Sequence, residues 1–188
     1  MTKLQKALLV AFGLTGSTLV SASNASLNLT NDVINGDATV NFGNFAVSGG
    51  GTYDEDSNSS IAYIGIGVED AEPNGPLQAG IGIRGSVIDT DTENDENKLA
   101  ATIGLGGWYR YTLPQANRLS IYGSGYYSPE ILTLTELDHT YTYELRGEYM
   151  TMRNARAYVR YGKTVVVFDD GSHKDINAGI SVGASVDF

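Results

Sequence analysis

The chain has no cysteine, so it cannot build a disulfide scaffold, a thiolate zinc site or a cysteine nucleophile. It is poor in positive charge: 12 Lys+Arg stand against 22 Asp+Glu, a net charge of −10 over 188 residues. So acidic a chain is repelled by phosphate backbones, which argues against nucleic acid as a partner. After the first 25 residues there is no apolar run long enough for a membrane helix. The length is that of one domain.

The first 25 residues read as a secretory leader. Lys3 and Lys6 form a positive n-region, and Ala7 to Val20 is apolar or small and uncharged. As a helix that stretch reaches only ~21 Å, short of the ~30 Å hydrocarbon core, so an anchor is disfavoured. Ser23-Asn24-Ala25 suits a signal peptidase, which predicts cleavage after Ala25, with cleavage after Ala22 the nearby alternative. No cysteine follows, so a lipoprotein is excluded. The expected organisation is a cleaved leader at 1–25 and one mature domain at 26–188. Loss of Lys3 and Lys6 takes the net charge from −10 to −12.

The mature chain shows period two throughout. Leu77, Ala79, Ile81, Ile83 and Val87 alternate with Gln78, Gly80, Gly82, Arg84 and Ser86. Tyr141, Tyr143, Leu145, Gly147 and Tyr149 alternate with Thr142, Glu144, Arg146, Glu148 and Met150. One face is apolar or aromatic. The other is glycine, serine, threonine and charge in mid-strand. A soluble β-sandwich also alternates, but this second face suits a cramped polar lumen, with the apolar face turned to lipid. The prediction is an all-β fold: an up-and-down antiparallel transmembrane β-barrel of ten strands. These lie at about 26–31, 38–43, 45–53, 61–69, 77–88, 98–111, 118–127, 139–151, 155–168 and 177–188. If the first two fail to pair, the count is eight. Short turns at 43–44, 113–117 and 152–154 alternate with longer acidic loops at 54–60, 89–97, 128–138 and 169–175, which puts both termini in the periplasm.

Aromatics are expected to form two interfacial girdles. Phe42, Phe45, Tyr109, Tyr111, Tyr149 and Phe188 fall at the periplasmic ends of outward rows, and Tyr53, Tyr127, Tyr141 and Tyr143 at the outer ends. The last strand ends on Phe188 with Val186, Ala184, Val182 and Ile180 at every second position, which looks like the signal read by the barrel assembly machinery.

Tyr122-Gly123-Ser124-Gly125-Tyr126-Tyr127-Ser128-Pro129-Glu130 resembles the "FGEYYYSP" stretch of the YfaZ family, exported proteins of gammaproteobacteria. Gly147-Glu148-Tyr149-Met150-Thr151-Met152-Arg153 is similar to that family's "GARYTIMR", and Phe45-Ala46-Val47-Ser48-Gly49 and Gly75-Pro76-Leu77 also resemble it. The resemblance implies an outer-membrane protein and brings no catalytic residues with it. The acidic stretch at 89–97 is longer than the family's.

The candidate lumen charges are Arg84, Arg110, Glu144, Arg146, Glu148, Arg156, Arg160 and Asp187. With a tight turn at Met152-Arg153-Asn154, Glu144 and Glu148 are expected to interleave with Arg146, Arg156 and Arg160. Charges inside a barrel must be paired or wet, and a narrow barrel favours a salt-bridged plug over a selectivity lining. Asp89, Asp91, Glu93, Asp95 and Glu96 could offer hard oxygen ligands to Ca²⁺, but without an EF-hand's glycine and terminal glutamate a solvated loop is the simpler expectation. His139 and His173 are the two histidines, and neither has triad spacing to a serine and a carboxylate. Ile131, Leu132, Leu134 and Leu137 are unusually apolar for an outer loop.

The expectation is therefore an outer-membrane barrel that is not an enzyme and holds no cofactor. Its role is structural or interactive, with acidic loops displayed outside. A narrow channel for ions or small solutes is the alternative, and a rim-sited lipid- or peptide-modifying enzyme the remote one. The expected partners are outer-membrane lipid and, during biogenesis, the assembly machinery; the barrel is expected to be a monomer.

Overall fold

The computed structural model describes residues 23–71, 75–91, 97–134 and 137–188. Ten antiparallel strands close into one barrel, each paired with its sequence neighbours, and β1 closes onto β10. They are β1 (Ser23–Leu29), β2 (Val33–Asn41), β3 (Ala46–Asp54), β4 (Ser59–Ala71), β5 (Leu77–Asp91), β6 (Asn97–Thr112), β7 (Leu119–Ser128), β8 (Leu137–Met152), β9 (Ala155–Phe168) and β10 (His173–Asp187). A barrel closed this way leaves no unpaired edge.

The outward register is apolar. Ile64, Ile66, Val68, Ile81, Ile83, Leu105, Val159 and Val182 all stand exposed, Ile81 at 71%. In water each such side chain forgoes ~1.5–3 kcal/mol of burial, which lipid restores. The girdle residues Phe42, Phe45, Tyr109, Tyr111, Tyr127, Tyr141, Tyr143, Tyr149 and Phe188 are exposed on the same face, and Tyr53 is half-buried at the outer end of β3. Phe42 stacks on Phe45 across the β2–β3 turn, where Gly43 takes φ 86°. Ile180, Val182, Val186 and Phe188 continue the outward row of β10.

Several predicted boundaries move. β1 starts at Ser23, inside the predicted leader, and β2 at Val33 rather than 38. Residues 1–22 lie outside the described residues. The other strands extend into the predicted loops, so the outer connections shrink to 30–32, 55–58, 92–96, 129–136 and 169–172. Loop length no longer separates the two ends, but charge does. Among the described residues the outer connections hold Asp32, Glu55, Asp56, Glu130, Asp169 and Asp170, whereas the turns at the end bearing the termini hold Arg118 and Arg153.

β7 ends below β6 and β8. The following segment, with a short 3₁₀ turn at Glu130–Leu132, folds into the gap and bridges Thr133 to Thr102 of β6. Its apolar residues diverge: Ile131 is 88% exposed and Leu134 75%, while Leu137 is 1% exposed inside the barrel. In β10 a bulge between Ile176 and Gly179, with Asn177 at φ 54° and Gly179 at φ 121°, re-aims the outer end of the strand inward.

Candidate site in the barrel lumen

Inward positions follow from the pleat, which turns every second side chain to the interior. Five arginines (Arg84, Arg110, Arg146, Arg156, Arg160) and five carboxylates (Asp37, Glu69, Glu144, Glu148, Asp187) line the interior below its outer end. The sequence reading placed all five arginines, Glu144, Glu148 and Asp187 there, and it missed Asp37 and Glu69.

The pairing departs from the expected interleaving at Glu148 and Arg156. Glu148 reaches across the barrel wall to Arg110, with Nε to Oε2 at 2.8 Å, rather than to Arg156 or Arg160. Arg156 pairs with Asp187, whose other oxygen accepts from Asn24 Nδ2 at 2.6 Å. Glu144 bridges two cations, Arg146 Nη2 at 2.9 Å and Arg160 Nε at 2.7 Å. Arg146 also lies 3.8 Å from Asp37, and Arg160 Nη1 donates to Asn177 Oδ1 at 3.1 Å. Arg146, Glu148 and Arg160 are buried. Removing one member of such a group leaves an uncompensated buried charge, the costly case for ion pairs.

Aromatic side chains share this interior. Tyr122 and Tyr158 sandwich the Arg146 guanidinium at 4.8 and 4.7 Å, and Tyr63 and Tyr126 sandwich that of Arg84 at 4.0 and 3.8 Å. Trp108 stacks beside Tyr122 at 6.0 Å. Tyr63, Trp108, Tyr122 and Tyr126 escaped the sequence reading, which took aromatics as girdle residues. The signal that could have found them is their register, which is that of the polar row.

Inward glycines make the room. A Cβ on Gly50 would stand 2.8 Å from the Tyr63 ring, on Gly80 2.6 Å from Trp108 Nε1, and on Gly183 2.5 Å from the Tyr158 ring. The glycine-rich row is thus the bed on which large side chains lie flat.

Above the charges, Ile88, Ala100, Leu137, Val166, Phe168 and Ile176 form one buried apolar cluster drawn from β5, β6, β8, β9 and β10, with Ile61 against it. β5 and β10 stand opposite each other in the ten-strand order, so the cluster spans the lumen at its outer end as an apolar collar. Below it a cavity of about 410 Å³ runs down past Tyr63, Arg84 and Trp108 to Asn41, Gln78 and Asp187 at the end bearing the termini.

The remaining candidates do not converge on chemistry. His139 points outward between Tyr127 and Tyr141, with Nδ1 3.0 Å from Asp138. His173 is exposed and pairs with Val167, as His139 does from the other side. Glu93 and Asp95 of the proposed cation loop lie outside the described residues, as does the side chain of Asp91, while Asp89 is on β5. Among the described residues no three His, Asp or Glu side chains are grouped to hold a metal.

A family model described as "YfaZ precursor" matches residues 1–188. No curated protein matches the chain. Among solved structures, the chain is similar to the outer membrane channel DcaP of Acinetobacter baumannii at 10% identity and TM-score 0.45, covering 92% of this chain and 60% of that one. It is similar to the outer membrane protease OmpT of Escherichia coli at 11% identity and TM-score 0.49, covering 90% of each chain. For OmpT of Vibrio cholerae the figures are 16% and 0.43, covering 83% of this chain and 56% of that one.

Proposed function

The chain belongs to the YfaZ family and is an outer-membrane β-barrel, and we propose that it is a non-conducting monomer with a structural or interactive role rather than a channel or an enzyme. The observation that carries this reading is the apolar collar of Ile88, Ala100, Leu137, Val166, Phe168 and Ile176. A pore for ions needs a continuous wet path, and an apolar constriction drains it. The Glu144–Arg146–Arg160 cross-links beneath the collar fill the next layer. Outside, the acidic connections around Asp32, Glu55, Asp56, Asp169 and Asp170 present a negative surface to whatever approaches the cell.

The test is conductance across planar bilayers. The folded protein is expected to give no unitary steps, and Phe168→Ala combined with Val166→Ala, which thins the collar, to give intermittent ones. Steady unitary conductance by the unaltered protein would refute the proposal.

A further inference from the structure

Among the described residues, ten charged groups line the lumen below the collar, and eight of them are neutralised by ion pairs: Arg110–Glu148, Arg156–Asp187, and the set of Asp37, Arg146, Glu144 and Arg160. The other two are Arg84 and Glu69, and neither has an oppositely charged partner within 4 Å among the described residues. They are of opposite sign and border the same cavity. We infer that this cavity is a binding site for a small zwitterion entering from the periplasm, a short peptide whose C-terminal carboxylate meets Arg84 and whose N-terminal ammonium meets Glu69.

The geometry at Arg84 fits a carboxylate. Both faces of its guanidinium are covered by the Tyr63 and Tyr126 rings, so it can donate only in its own plane. Its Nε is buried and has no protein partner among the described residues. A planar fork of donors held flat between two rings matches the two oxygens of a carboxylate. Across the ladder Arg84 is flanked by Gly65 and Gly104, which leave room beside it for hydroxyls from the strands beyond. The Ser48 and Ser128 hydroxyls stand where those glycines' side chains would be, within 2.8 and 2.9 Å of a Cβ there. Both line the cavity and can donate to the same anion.

Glu69 accepts hydrogen bonds from Asn41 Nδ2 at 3.1 Å and from the Trp108 side chain, and Arg110 is the cation that acts on it from farther away, so no ion pair closes on its carboxylate among the described residues. It pairs in the ladder with Gly80, four positions along β5 from Arg84. That is ~13 Å between backbones at about 3.3 Å per residue, and both residues line the same cavity. A ligand with its charges several bonds apart therefore spans them better than a single ion. Asp37 and Glu144, in the layer of Arg84, oppose a second negative charge and so disfavour phosphate or a dicarboxylate. The cavity extends to Asn41, Gln78 and Asp187 at the end bearing the termini, so the route in is from the periplasm. The inference goes beyond the proposed structural role and stands whether or not the barrel conducts.

Trp108 supplies the readout. It is the only tryptophan in the chain and lies in the same cavity beside Glu69. The experiment titrates triglycine, N-acetyl-triglycine, triglycine amide and inorganic phosphate into the folded protein in detergent and follows Trp108 fluorescence. Triglycine is expected to give a saturable change, and each capped form to bind at least tenfold more weakly. Arg84→Gln should abolish the difference between triglycine and its amide while keeping that between triglycine and its N-acetyl form. Glu69→Gln should do the reverse. Heat-modifiable gel mobility confirms that each variant is folded, and the uncharged Arg84→Met replaces Arg84→Gln if it is not. Equal binding of capped and free peptide, a phosphate response as strong as triglycine's, or no saturable response would overturn the inference.

Discussion

The backbone N–H of Asn177 donates to Oδ2 of Asp54 at 2.7 Å, joining the outer ends of β10 and β3, which are not neighbours in the sheet. The strands between them stop short: β1 ends at Leu29 against Val182, and β10 continues past it. The bulge at Ile176–Gly179 carries β10 over that hairpin, seats Ile176 in the collar and leaves the buried Asn177 N–H to Asp54. Asp54→Ala strands that N–H and should cost ~1–3 kcal/mol. Asp54→Asn retains an acceptor and should cost less. The midpoint of the heat-induced gel shift distinguishes the two.

The lipid face is tested at Ile81 and Ile103, which point outward, against Gln78, which points inward. Arginine at either isoleucine should cost ~2–4 kcal/mol near the bilayer midplane, and much less at Gln78. Refolding titrations into lipid vesicles measure both. Equal costs would mean that inside and outside have been exchanged.

Arg160 is buried and holds both Glu144 and Asn177. Arg160→Ala should cost ~3–5 kcal/mol, because Glu144 then depends on Arg146 alone. In a wet lumen the loss would be mild, so the size of the drop in a urea titration reports whether that layer is dry.

At the N-terminus, Asn24 and Ala25 are strand residues of β1, paired with β2 and β10, and Asn24 holds Asp187. Cleavage after Ala25 would remove them, so we expect cleavage after Ala22 and a mature protein beginning at Ser23. Intact mass of protein recovered from the outer membrane decides this. A mass beginning at Ser26 would mean that β1 loses its first three residues.

At the other end, Phe188 lies on the outward row of Val182 and Val186 and is exposed. Phe188→Ser should leave protease-sensitive periplasmic protein with little heat-modifiable band, because the strand that closes the barrel loses its interfacial anchor. Normal insertion of the variant would remove the assembly role of that residue.

β4 to β10 were legible because their alternation is long and holds over most of each strand. β1 and β2 were misplaced because Asn35-Gly36-Asp37 carries the chemistry of a tight turn. In the fold it runs mid-strand, held by Asn28 donating to Asn35 at 2.8 Å and Asn35 to Thr52 at 2.6 Å. The lumen arginines were legible because charge in the middle of a membrane strand has nowhere else to point. The partners of Arg110 and Arg156 were not, since Arg110–Glu148 skips β7 and Arg156–Asp187 reaches the last residue of β10. The collar was hidden because Ile88, Ala100 and Phe168 look like any other strand-end apolar residues. One trace existed: Val165, Val166, Val167 and Phe168 break the alternation, as a segment buried on both faces does.

The wall is thinnest where the chain closes on itself. β1 holds β10 only over Asn24–Leu29, whereas β5 and β6 hold each other over Leu77–Asp91. Opening a segment costs roughly in proportion to the rungs it must break, so local excursions concentrate at the seam. In deuterated buffer the amides of β1 should exchange well before those of Ile81 to Val87. The barrel then breathes sideways at one fixed meridian, and any lipid that packs against Leu27 and Leu29 is the molecule that holds it shut.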